Sequence, residues 1–173
     1  MGNYYNKQNY PPKEKQEFKE ILPAFDVKDL NRKNYVNLAE KVIKEHFENE
    51  KKKTITTNQI RNLLELTNEL RERLRTERVE QLTEDMISQV QYIKLRFVYA
   101  VGRDKGTQGN DGKGVLEFMK RSNLIACLDT VKDSPEQYLL VCKYMEALVA
   151  YHKFFDSEKK LKAELNKNHN RRN

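Results

Sequence analysis

Glycine, proline, cysteine and tryptophan are all scarce in this chain of 173 residues, which holds six, four, two and none of them. So little glycine and proline excludes collagen-like and low-complexity chains and leaves few breakers to interrupt helices. Two cysteines are too few for a disulfide scaffold or a thiolate zinc cluster, and Cys127 and Cys142 both sit in apolar helical contexts that read as two buried thiols. No run approaches the roughly 18 apolar residues of a membrane span. No N-terminal stretch has the apolar centre of a signal peptide, so the expectation is a soluble, cytoplasmic protein with no membrane partner. Alternating apolar–polar segments are missing too, so no sheet is expected.

Charge is abundant instead, at 34% of residues, with a formal net charge of +7 and a pI near 9.3. Its distribution matters more than its size. Residues 1–33 hold seven Lys/Arg against five Asp/Glu, and residues 156–173 hold six against three. That leaves 20 against 18 for residues 34–155. A basic site in the middle of the chain must therefore come from local clustering, not bulk charge. The division expected is a flexible basic arm over 1–33, a helical domain over 34–155 and a basic tail over 156–173.

Within the arm, Phe18, Ile21 and Leu22 suggest a short amphipathic piece. Tyr4, Tyr5 and Tyr10 beside Lys7 suit either a solvated arm or base stacking. From Tyr35 the 3.6-residue period is plain: Tyr35, Leu38, Ala39, Val42, Ile43 and Phe47 form one stripe. Thr56 and Gln59 have capping-box spacing. They open a second helix that buries Ile60, Leu63, Leu64, Thr67, Leu70 and Leu74 and carries charge outward from Arg61 to Arg78. Thr83 caps a third helix that reaches about Val101, with Gly102 suited to follow its end. Residues 102–114 hold five of the six glycines and read as a mobile loop. Short helices at about 115–121 and 122–131 follow. Ser134, Pro135 and Gln137 then open a long last helix through about Phe155. Residues 156–173 either fray or extend it. The fold class is all-α: a compact bundle of about five or six helices with flexible N- and C-terminal tails.

Catalytic signatures are missing. His46, His152 and His169 stand far apart with no metal-ligand partners at usable spacing, so neither a metal nor a cofactor is expected. The glycine-rich loop is not a phosphate loop, because Gly114 follows Lys113 where Ser or Thr is required and no strand precedes it. The chain reads as a non-enzyme.

The third helix carries the informative pattern. Tyr92, Arg96, Tyr99 and Arg103 share one stripe, with Gln89 just upstream. Guanidinium groups pair with phosphates and tyrosine rings stack on bases. The same stripe equally suits tyrosines packed on neighbouring helices and arginines spent in salt bridges; periodicity alone leaves both open. The opposite face holds Ile87, Val90, Ile93, Phe97, Val98 and Val101. Lys94 falls in its middle, where it must snorkel, find a carboxylate such as Glu146, or line a site. A second basic cluster lies at the start of the second helix: Lys51, Lys52 and Lys53, then Arg61. A helix N-terminus there offers unpaired N–H groups to a phosphate, although capping by Thr56 and Gln59 already explains part of the pattern.

Four blocks in order resemble the small subunit of the type III-A CRISPR effector (Csm) complex. Thr56 to Arg61 is similar to the family's TTSQIRK signature, and Gln91 to Arg103 to its YLKVRFVYEAGR. Val115 to Leu124, with Phe118 and Ser122, fits the next block, and Tyr144 to Phe154 resembles YFEALVAYHKF. The chain departs in having Ala100 and Val101 where the motif has Glu-Ala, in the longer glycine loop and in its long N-terminal arm. The resemblance implies a helical bundle without a nuclease of its own. Copies would stack head to tail beside the repeated backbone subunits and the large polymerase-like subunit, lining the channel where target RNA pairs with crRNA. Matched by position, it implies RNA contacts at Gln59, Arg61, Lys94, Arg96 and Arg103; the residue patterns themselves add Lys53 from the cluster before the second helix, and Tyr92 and Tyr99 for stacking. The alternative is a purely structural spacer whose basic and aromatic stripes meet other subunits. A DNA-binding bundle ranks behind both, since no helix-turn-helix pattern is present.

Overall fold

The computed structural model describes residues 21–48, 55–104 and 114–170. Six α-helices account for most of them: α1 (Tyr35–Glu48), α2 (Thr57–Glu77), α3 (Glu84–Arg103), α4 (Gly114–Ser122), α5 (Leu124–Asp129) and α6 (Pro135–Asn170). No strand occurs among the described residues.

Each start follows from local chemistry. Thr56 caps α2 in a complete capping box: Gln59 N–H donates to Thr56 Oγ1 at 3.2 Å and Thr56 N–H to Gln59 Oε1 at 2.9 Å. Thr83 caps α3, accepting from Met86 N–H. Ser134 caps α6 by accepting from Gln137 N–H, but Gln137 does not close a box: its side chain donates to Thr130 Oγ1 at 2.9 Å. α2 ends at Arg78 and α4 at Asn123, both in left-handed backbone (φ 48° and 54°) without being glycine.

α6 is the central helix. It packs on α1, α2 and α5 and buries Tyr138, Val141, Tyr144, Met145 and Leu148. Its two buried tyrosines satisfy their hydroxyls on main-chain carbonyls, Tyr138 on Thr67 at 2.8 Å and Tyr144 on Ser122 at 3.0 Å. Cys127 and Cys142 are free and buried, and burial pushes their thiols up to about 12 and about 11. They are therefore neutral, unreactive packing groups.

Several boundaries differ from the sequence expectation. Phe25 and Leu30 join the core, Ala24 N–H donates to Arg121 O at 3.0 Å, and a 3-10 turn at Val27–Asp29 capped by Asp26 carries the chain into α1. That part of the supposed flexible arm is packed, upstream of the boundary placed at residue 34. Leu22 is exposed, while Phe18 lies outside the described residues. Of the two outcomes open for the stretch after Phe155, extension is the one taken: α6 runs through Asn170, and every residue from 161 to 167 is exposed, so its last turns stand clear of the bundle. Gly102 is not the residue beyond α3 but lies in its last turn; Asp104 closes the helix. No helix among the described residues is long and apolar enough to cross a membrane.

Candidate nucleic-acid interface

α3 packs inward through Met86, Val90, Ile93 and Phe97 against α2, α4 and α5. The outer face, at Tyr92, Leu95, Arg96, Val98, Tyr99 and Arg103, is exposed. Tyr92 and Tyr99 are 56% and 58% exposed, and Arg96 and Arg103 are exposed beside them. Arg96 lies over the Tyr92 ring, 6.0 Å from its centroid, with Nη1 3.5 Å from the hydroxyl. Among the described residues the tyrosines of this face do not pack on neighbouring helices. Among the described residues Arg96, Arg103 and Arg61 form no salt bridge, whereas Arg71, Arg73, Arg75 and Arg121 each meet a carboxylate. Of the two uses the stripe allows inside the chain, the internal one is not taken.

The start of α2 and the end of α3 meet. Gln59 Nε2 donates to Asp104 Oδ1 at 3.2 Å, and Asp104 Oδ2 accepts from Val115 N–H at 3.0 Å. One carboxylate thus ties three helix ends together, sitting next to Arg103 in sequence while its partner Gln59 is two residues before Arg61. Asp104 was not singled out from sequence, and no local spacing could have found it: its partners lie 45 and 11 residues away. Gln59 is itself heavily committed, its oxygen to the Thr56 cap and its nitrogen to Asp104.

Lys94 is not brought to this surface. Its ammonium pairs with Asp129 of α5. Glu146, the carboxylate suggested for it, is taken by Arg71 of α2. Val98, expected on the buried face, is half exposed, as is Leu95, so the tyrosine stripe has an apolar margin. Lys51, Lys52 and Lys53 lie outside the described residues, as does the glycine-rich segment 105–113. Among the described residues no group of His, Cys, Asp and Glu stands at metal-binding spacing.

These features define a class: a small helical bundle presenting unpaired arginines and solvent-facing tyrosines along one helix. The family model for "Csm2 Type III-A" matches residues 29–158. A "CRISPR system Cms protein Csm2" from Streptococcus thermophilus is 34% identical over 127 residues, which is 73% of this chain and 94% of that one. One from Mycobacterium tuberculosis is 35% identical over 106 residues, 61% of this chain and 79% of its own. Another, from Enterococcus italicus, is 34% identical over 103 residues, 58% and 68% of the two chains. The chain belongs to the Csm2 type III-A family, the small subunit of the type III-A CRISPR complex.

Proposed function

We propose that the chain is a non-catalytic cytoplasmic subunit that grips target RNA along the guide–target channel without reading its sequence, and so helps monitor complementarity. The observation that carries this is the set of arginines 61, 96 and 103, exposed and unmatched by any salt bridge among the described residues, with the starts and ends that bear two of them joined through Gln59 and Asp104. Phosphate contacts and stacking suffice where base pairing with a guide reads the sequence. In this reading Arg61, Arg96 and Arg103 contact phosphates and Tyr92 and Tyr99 offer stacking faces. Lys53, four residues before Thr57 in sequence, adds charge. Gln59 serves chiefly to hold the two helix ends in register. Lys94, paired with Asp129, is given a supporting place beneath the stripe. The partners are the target RNA–crRNA duplex, the repeated backbone subunit, the large polymerase-like subunit and further copies of this chain.

Salt titration tests it. On single strands log affinity falls against log salt with a slope of about −0.7 per phosphate contacted. Replacing Arg96 and Arg103 together with alanine flattens that slope while melting temperature stays near that of the unaltered protein. Coincident slopes for the two proteins refute the site. A second reading, that α3 meets another subunit, is favoured by the exposure of Leu95 and Val98 beside the tyrosines. Photocrosslinking of the assembled complex separates them: RNA adducts on α3 support RNA contact, and protein adducts without RNA adducts support the spacer.

A further inference from the structure

We infer that His46 and His152 are positioning residues that set the start of α2 for RNA by clamping the main chain of Ile55. The inference rests on the RNA-binding reading above. Ile55 N–H donates to His46 Nε2 at 3.1 Å, and His152 Nε2 donates to the Ile55 carbonyl at 2.7 Å. The two rings come from different helices, α1 and α6, and are 1% and 2% exposed; the Ile55 side chain is 1% exposed. Both polar groups of the residue just before the Thr56 cap are thus held by side chains. No helix or strand pairs them, and left unmet in the interior each would cost free energy.

The clamp is the first link in a connected series. Ile55 fixes Thr56, Thr56 and Gln59 form the capping box, and Gln59 reaches Asp104 beside Arg103. Arg61 follows half a turn after Gln59. Deeper in α2, Leu63, Leu70 and Leu74 are buried on their own account. Opening the clamp therefore frays the first turn, which directly precedes Arg61, and leaves the body of the bundle packed.

The tautomers follow from the geometry. His46 accepts at Nε2, so its proton sits on Nδ1; His152 donates from Nε2, so its Nδ1 carries the lone pair. Neither Nδ1 has a hydrogen-bond partner among the described residues. His46 clamps only while neutral, because a proton on Nε2 would face the Ile55 N–H. Around it stand His152 of α6, the Arg121 guanidinium of α4 with its partner Glu117, and Glu45 of its own helix, while Asp156 of α6 faces His152.

The test uses the full chain, fluorescent oligouridine and amide hydrogen exchange. H46L removes the acceptor and H46Q replaces it with an amide oxygen. H46L is expected to weaken RNA binding about fivefold to tenfold, the size of one lost hydrogen bond, and to speed exchange over residues 55–59. H46Q restores both. Faster exchange with unchanged affinity in H46L overturns the positioning role, while a concurrent loss of affinity in R61A/R103A keeps the RNA reading intact. Unchanged affinity in R61A/R103A overturns the RNA reading and this inference with it. Should H46L lose its helical circular dichroism, H152L takes its place. Loss of helix in both overturns the inference, since the histidines would then hold the whole fold.

Discussion

The two ends of α2 use arginine in opposite ways. Near its C-terminal end Arg71 bonds Glu146 of α6 and Arg73 bonds Asp85 of α3, so the guanidiniums stitch α2 to its neighbours. At its start Arg61 meets no carboxylate among the described residues, and the stitching there falls to uncharged or acidic groups: Thr56, Gln59, Asp104 and the two buried histidines. Cations used for cohesion are unavailable to a ligand; cohesion by other means leaves cations free. The outer face of α3 repeats the second pattern. Net charge says nothing about this difference, since it counts both ends alike.

The comparison can be broken or sharpened by stability and binding measured together. The largest effect belongs to the side of α3 that bears no charge. Phe97, 1% exposed, follows Arg96 in sequence on the inward side of the helix, and F97A should cost about 3–5 kcal/mol in urea unfolding. An RNA effect without that loss would mean α3 is not supported from beneath.

Acid comes next. Burial first, then the neighbouring His152 and Arg121, hold the His46 imidazole down to about 4 from its usual 6.5. The unfolded chain therefore binds the extra proton between those values and the folded one does not. Stability from this group is complete above pH 6.5 and falls by about 3 kcal/mol as pH drops toward 4. Urea midpoints measured at stepped pH check this, and H46Q should flatten the curve across that window.

Smaller again is R71A. Arg71 is largely enclosed but Glu146 is half exposed, so the loss should be about 1–2 kcal/mol, discounted for solvent screening, with RNA affinity nearly unchanged. R61A should be the smallest on this scale, within about 0.5 kcal/mol of the parent in stability. Its salt slope for RNA should nonetheless shrink by about 0.7. If R71A and R61A gave the same pair of outcomes, the two ends of α2 would not differ in use.

Much of the fold was legible because its signals are local. The stripe from Tyr35 to Phe47, the Thr56–Gln59 box and the Thr83 cap all lie within a few residues of what they determine. The candidate face was legible for the same reason, since Tyr92, Arg96, Tyr99 and Arg103 fall on one side of any helix that contains them. What escaped was non-local or weakly patterned. Asp104 works across 45 residues and His152 across 97, and no periodicity reports such pairings. Lys94 fell in the middle of the apolar stripe with Glu146 as the carboxylate suggested for it, and only the packing of α5 decided for Asp129. Whether α6 frays or continues past Phe155 stayed open in the sequence, because only Leu161 and Leu165 mark the continuation in a Lys- and Asn-rich stretch. The turn at Val27–Asp29 is too short to show a period.

That continuation has a mechanical consequence. From Asp156 to Asn170 α6 adds 15 residues, roughly 22 Å of rod at 1.5 Å per residue. The same helix forms the axis on which α1, α2 and α5 are assembled. A rotation of the bundle by about 10° would therefore sweep the far tip through roughly 4 Å, carrying Leu161 and Leu165 with it. The projecting rod is rooted beside the start of α2, since His152, one turn before Asp156, donates to the Ile55 carbonyl, so a slight rocking of the arginine-bearing end is magnified at the tip.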